Sequence, residues 1–229
     1  INTAGDALWE EGVRLDPVND VDFSARFTAN TLGGVSVIWE RGTFPDVDIF
    51  FQNITSDGNY SLTEPLVISN GEGYQFSPIL SGNEQNGIYA IYADQGTGSI
   101  DLMVQKLNAN FEPEWGETGL IAMDGLDGDV NYTKTYRLGD QSLFHVWEDN
   151  RASKKLYGNK LTELILLSSN GTQISFGDNS SSETDFSLPV FLNASSGLYT
   201  ATFDGSASPK FIRINKLSED LSNAWDPSG

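Results

Sequence analysis

The sequence predicts an all-β fold, a β-propeller of four-stranded blades, and three observations point to it. Apolar runs of strand length recur in phase along the 229 residues, turn-forming residues separate them, and no stretch carries a sustained 3.6-residue helical period. The alternative is a β-sandwich, whose strands also alternate but need no common phase from end to end.

The clearest run opens on a small residue and ends on an aromatic. It reads Gly34-Val-Ser-Val-Ile-Trp39, Gly87-Ile-Tyr-Ala-Ile-Tyr92, Ser142-Leu-Phe-His-Val-Trp147 and Gly197-Leu-Tyr-Thr-Ala-Thr-Phe203. The aromatic ends lie 53, 55 and 56 residues apart, a blade-sized period. Ahead of each comes a shorter β-leaning segment: Phe23–Phe27, Phe76–Leu80, Tyr132–Tyr136 and Phe186–Val190. Pro78 and Pro189 fall inside these segments, which suits an innermost strand with one unladdered edge.

About ten residues after each aromatic a third run follows: Val47–Gln52, Ile100–Gln105, Lys155–Asn159 and Lys210–Ile214. The fourth of these has Ile214 where the first two have Gln52 and Gln105. Turns of Asn/Asp/Gly type come next, at Ser56–Gly58, Asn108–Asn110, Ser169–Gly171 and Ser218–Asp220, whose residues tolerate positive φ. A last short run closes three of the units, at Pro65–Ser69, Gly119–Met123 and Thr172–Phe176. The second and third runs are nearly continuous in apolar residues, as in strands buried on both faces.

Residues 1–229 read as a single propeller domain of units 21–74, 75–126, 127–181 and 182–229, the last completed by residues 1–20. The N-terminus, from Asn2 through Trp9 to Leu15, repeats the turn and final strand of a unit, and the C-terminus stops at that same turn. A strand at Val13 beside the strand at Phe211 would close a four-bladed ring without a free edge. The competing reading is an excerpt of a longer array, and the duplicated turn argues for it, since a closed ring needs only one copy. Starting at Ile1, with no apolar leader, the chain reads as a processed or excised piece of a larger polypeptide.

Composition removes whole classes of chemistry. Cys 0 excludes disulfides, thiolate nucleophiles and cysteine metal clusters, and His 1 excludes any zinc site built on two histidines. A formal net charge of -19 repels phosphate backbones and anionic membranes, so neither nucleic acid nor direct membrane insertion is expected. With 38% hydrophobic and 11% aromatic residues the chain can still build a core.

Carboxylates recur after the aromatic of the second strand, Glu40, Asp94, Asp149 and Asp204, and again at Asp48 and Asp101. Paired carboxylates on one rim are what glycoside hydrolysis requires. Groups that recur in every unit more simply accept turn N–H bonds between strands two and three. His145 departs in type, standing where other units have Val37, Ala90 and Ala201; it reads either as a base or ligand, or as a core imidazole. Asp124, Asp127 and Asp129 offer hard oxygen ligands for Ca²⁺, without EF-hand spacing; no other cofactor is implied. Trp9, Trp115 and Trp225 recur before the last strand and read as packing residues. Sequons occur at Asn53, Asn59, Asn131, Asn170, Asn179 and Asn193.

Residues 145–161 (HVWEDNRASKKLYGNKL), 90–121 (AIYADQGTGSIDLMVQKLNANFEPEWGETGLI) and 1–15 (INTAGDALWEEGVRL) resemble the tandem W-x-D-x-R and D-I-Y-A-Q repeats of exported, cell-surface bacterial proteins, common in Bacteroidetes and type IX secretion cargo. Trp147–Arg151 keeps the first motif whole, Tyr92–Asp94 keeps the Asp, and Phe203–Asp204 is shortened. The resemblance implies a secreted or cell-surface propeller scaffold and no reaction. The expected function is therefore a non-enzymatic module contacting protein or glycan at the cell surface within a larger chain or assembly. The alternative is a glycan-processing hydrolase using rim carboxylates.

Overall fold

The computed structural model describes residues 9, 12–15, 21–30, 33–83, 87–96, 98, 100–126, 131–137, 143–149, 155–162, 165–166, 172–173, 190–193, 197–204, 211–218, 221 and 224. All regular structure among them is strand, so the all-β expectation holds.

The strands form antiparallel meanders. The first comprises β1 (Asp22–Ala29), β2 (Val35–Thr43), β3 (Asp46–Ile54) and β4 (Leu66–Ser69). The second comprises β5 (Tyr74–Asn83), β6 (Gly87–Gln95), β7 (Ile100–Leu107) and β8 (Leu120–Leu126). One parallel bridge, Val47 to Tyr74, joins them into an eight-stranded sheet. A second sheet holds β9 (Asn131–Arg137), β10 (Leu143–Asp149), β11 (Lys155–Thr162), β12 (Ile165–Leu166) and β13 (Thr172–Gln173). Among the described residues the third holds β14 (Val190–Asn193), β15 (Gly197–Asp204) and β16 (Phe211–Leu217). The chain divides into two compact units, Ile1–Gly98 with Met103–Ile121, and Ser99–Leu102 with Ala122–Gly229.

Register is anchored at the hairpin between the first two strands of a meander. Ala29 pairs with Val35, Asn83 with Gly87, and Asn193 with Gly197. At Gly34 there is no room for a side chain, because an added Cβ would lie 2.0 Å from the Ile54 carbonyl oxygen. The first strands of the first three meanders, β1, β5 and β9, then kink. The pairing slips between Phe23 and Arg26 in β1 and between Phe76 and Ile79 in β5, with Ser24 at φ 52° and Ser77 at φ 54° in the bulges. A slip at the same place in β9 pairs Asn131 with Glu148. Asn131, and not Tyr132, is thus the counterpart of Phe23 and Phe76. Pro78 sits in the β5 bulge, where no ladder N–H is needed; Pro189 lies outside the described residues.

The turn after the third strand recurs almost unchanged. Gly58 N–H donates to Thr55 O, Phe111 N–H to Asn108 O and Leu221 N–H to Ser218 O. The positive-φ residue is Gly58 in the first meander, as its sequence suggests, but Phe111 in the second and Leu221 in the fourth; the third meander's turn lies outside the described residues. Both of those are apolar: Leu221 is buried and Phe111 packs 5.5 Å from the Phe51 ring, so burial offsets the cost of a left-handed backbone. The next backbone bonds also match: Ser61, Glu114 and Ala224 N–H donate to Asn53, Lys106 and Lys216 O.

In a core of the first compact unit, Ile38, Ile49, Phe51 and Ile68 meet Ile88, Ala90, Tyr92, Met103 and Leu107. β6 is buried on both faces along most of its length. Buried amides support the loops. Gln52 Nε2 donates to Leu62 O, and Gln105 Nε2 donates to Gly116 O at 2.7 Å, while each Oε1 accepts backbone N–H groups. Asn159 holds the corresponding place and donates to Ala122 O. In the fourth meander that register belongs to Asn215, which pairs with Thr200; Ile214 is one residue off, correcting the expectation from spacing.

The ring closure expected of Val13 is not found. Gly12–Leu15 forms no strand, and the third sheet ends at β16 among the described residues. Instead Trp9 Nε1–H donates to Ser56 O, its ring lies against Gly58, and the Tyr60 hydroxyl donates to Arg14 O.

Candidate acidic and aromatic rim

One end of the first two meanders gathers the ends of β2 and β6 and the starts of β1, β3 and β5. The β2–β3 hairpin turns there through Phe44 and Pro45, joined by a cis peptide bond, and leaves Phe44 75% exposed. Its ring meets Tyr74 edge-on at 5.8 Å, and Tyr74 in turn stacks on Phe76 at 4.7 Å with an interplanar angle of 11°. Tyr74 and Phe76 are two apart on β5, so the pleat puts both on one face. Burial raises the Tyr74 phenol pKa, and the Glu40 charge adds to it.

Beside this aromatic step lies a charged cluster. Asp22 Oδ1 accepts from Arg41 Nε at 2.8 Å and from Trp39 Nε1 at 2.9 Å. The Arg41 guanidinium also lies 4.1 Å over the Phe50 ring. Asp48 has its carboxyl pKa raised by burial and then by Asp46, with Arg41 opposing.

The structure separates the expected carboxylate set. Pairing places Asp94, Asp149 and Asp204 at one register position, which the first meander fills with Arg41. Glu40 is one residue earlier, equivalent to Ala93, Glu148 and Phe203, and so faces the other side of its sheet. It is buried, and its Oε1 accepts the Ser77 N–H at 2.9 Å, with the Ser24 hydroxyl as a second donor. Burial raises its pKa, against the Ser77 and Ser24 hydrogen bonds and the Arg26 charge. Asp94 accepts from Gln75 Nε2 at 3.2 Å. Neither Glu40 nor Asp94 accepts a hairpin N–H in the described contacts; the bonds run instead to first strands. Asp22 faces Arg41 where Gln75 faces Asp94, so the same cross-strand position carries its acid on opposite strands in the two meanders.

His145 is 4% exposed, and burial lowers its pKa to about 3, so at neutral pH it is an uncharged core imidazole. It pairs with Asn159 and Thr135, and its ring lies 5.8 Å from Trp147. Its fourth-meander counterpart is Thr200, not Ala201, because register follows the Asn193–Gly197 hairpin and not the terminal aromatic. Of the calcium candidates, Asp124 is exposed on β8; Asp127 and Asp129 lie outside the described residues, among which no group of three acidic or His ligands converges. Trp115 packs 5.7 Å from Tyr89, as a packing residue should; Trp225 lies outside the described residues. Asn53 is buried and bonded to Asn30, Ser36 and Ser61, which closes that sequon to modification. The aromatic step was missed by sequence reasoning. Its only signal was an exposed-type hairpin, Thr43-Phe-Pro-Asp46, carrying an aromatic.

No family model and no curated protein matches the sequence. Among solved structures the chain is similar to an α-L-arabinofuranosidase of Podospora anserina in complex with cellotriose, at 11% identity and a TM-score of 0.46, over 93% of this chain and 70% of that one. It is similar to an endo-arabinase of Bacteroides thetaiotaomicron at 11% identity and 0.47, over 85% and 74%. A glycosyl hydrolase of Bacteroides ovatus gives 9% and 0.48, over 88% and 68%. At that overlap and identity neither fold nor activity passes from those proteins to this chain. No helix among the described residues is long and apolar enough to cross a membrane.

Proposed function

We propose that this chain is an extracellular carbohydrate-binding module, its meanders the blades of a propeller, with the rim around Phe44 as the binding surface. The observation that carries the reading is the step of Phe44, Tyr74 and Phe76, outermost ring exposed, beside Asp46, Asp48 and Arg41. Sugar rings present apolar C–H faces that stack on aromatics and hydroxyls that bond to carboxylates, so such a rim answers both halves of a saccharide. The resemblance to exported cell-surface repeats supports the extracellular setting, and the net charge of -19 disfavours polyanions. Calorimetric titration with a panel of neutral oligosaccharides tests it. Binding that Phe44→Ala abolishes supports the reading; no binding across the panel, or binding untouched by that change, overturns it.

A second reading rests on Glu40. A buried carboxyl with a raised pKa has the property of a general acid in glycoside hydrolysis. Release of reducing ends, lost in Glu40→Gln, would establish the hydrolase; binding without turnover would establish the module.

A further inference from the structure

The aromatic step draws its rings from two meanders, so its geometry depends on what holds the start of β5 against the β2–β3 hairpin. Phe44 belongs to the hairpin tip, and Tyr74 and Phe76 belong to β5. Two backbone anchors tie that segment to the first meander. At its head the Val47 N–H donates to Gly73 O at 3.1 Å, beside the parallel bridge from Val47 to Tyr74. At its tail the Ser77 N–H donates to Glu40 Oε1 at 2.9 Å. Between them Gln75 serves its own meander, its Nε2 donating to Gly71 O and to Asp94 Oδ1.

The tail anchor bears directly on the stack. Ser77 follows Phe76, and the planar peptide that joins them carries the N–H that Glu40 accepts, so holding that plane restrains the backbone that carries the Phe76 ring. At φ 54° Ser77 has a backbone that persists only where its surroundings hold it. Phe76 stacks on Tyr74 at 4.7 Å and Tyr74 meets Phe44 at 5.8 Å, which relays the anchor to the exposed ring. Glu40 itself is 3% exposed, and the Ser77 N–H and Ser24 hydroxyl occupy its carboxylate, so it acts on the rim through β5.

We infer that Glu40 is the positioning residue of the rim: by holding the Ser77 N–H it sets Phe76 and Tyr74 against Phe44, and saccharide affinity depends on this buried acceptor although it touches no ligand. The inference rests on the rim being the binding surface. A neutral acceptor at position 40 suffices for the backbone bond, which separates this role from that of a general acid.

The test reads the step with and without sugar. Aromatic proton NMR on the full chain, with Tyr74 identified by its loss in Tyr74→Phe, follows the ring-current shifts of Tyr74 and its nuclear Overhauser contact with Phe44. Glu40→Gln, which keeps an acceptor, should retain both. Glu40→Ala should lose the contact and move the Tyr74 shifts toward those of free tyrosine, with the Trp147 signal unchanged. Calorimetric titration with the neutral oligosaccharide that the parent binds most tightly should show affinity about tenfold lower for Glu40→Ala and within about twofold of the parent for Glu40→Gln. A Tyr74 contact that survives in Glu40→Ala overturns the inference, as does its loss in Glu40→Gln. Because the ring signals need no ligand, a panel of sugars that never binds overturns the binding surface, and the ring signals still decide whether Glu40 positions the step. Should Glu40→Ala not fold, hydrogen exchange in the unmodified chain decides: the Ser77 amide, on an exposed residue, should be protected, and exchange at the rate of a free amide overturns the inference.

Discussion

Glu40 on β2 accepts a hydrogen bond at 2.9 Å from the backbone N–H of Ser77, which sits at φ 54° in the β5 bulge. One buried carboxylate therefore fixes the place where the second meander's first strand kinks, and the Ser24 hydroxyl of the matching β1 bulge reaches the same group. The bulge exposes an N–H that a straight ladder would have used, and the carboxylate takes it.

Replacing Glu40 separates charge from hydrogen bonding. Its folded-state pKa is raised, so its contribution to stability is full below the ordinary value of 4.5 and falls as pH rises through the higher folded value. Glu40→Gln keeps an acceptor for Ser77 and should abolish this loss, giving a smaller drop in melting temperature between about pH 4 and about pH 7 than the parent. Glu40→Ala should cost about 1–3 kcal/mol at any pH, by leaving the Ser77 N–H unpaired. Urea melts of both variants across that range check the sign.

His145 gives the opposite slope. Its pKa falls from 6.5 to about 3 on folding, so its contribution is full above about pH 6.5 and is lost as pH falls toward about 3. In His145→Gln that acid-side loss should shrink, while saccharide binding at the rim is unchanged. Denaturation at matched pH values, read by tryptophan fluorescence, measures it.

Phe44 is exposed enough that Phe44→Ala should change stability by no more than about 0.5 kcal/mol. Tyr74→Ala removes the middle of the stack and should weaken ligand binding as strongly, with a measurable stability loss because Tyr74 is half-buried. Equal melting temperatures with unequal affinities for Phe44→Ala and the parent are the expected pair of measurements.

Gln105 is a buried amide bonded to Gly116 O, Lys106 N and Trp115 N. Gln105→Leu keeps most of the volume but strands these backbone groups, at a cost of about 3 kcal/mol. Chemical denaturation should show the loss, and hydrogen exchange should show it concentrated in residues 114–119.

The sequence by itself determined the strand class, the four recurring runs and their order, because the alternation of apolar and polar residues is a local consequence of the pleat. It also marked Trp115 as packing and left no basis for thiol or multi-histidine chemistry. Counting along the chain lost accuracy wherever a bulge or a longer hairpin added a residue. Tyr132 was matched where Asn131 belongs, Ile214 where Asn215 belongs, and Ala201 where Thr200 belongs. The same slip grouped Glu40 with Asp94, Asp149 and Asp204, although one residue of register puts a side chain on the opposite face. Hydrogen-bonded pairing between strands decides such a position, and pairing depends on residues distant in the chain. Only the tertiary structure could therefore place Glu40 in the core and build the step of Phe44, Tyr74 and Phe76 from a hairpin tip and a separate strand.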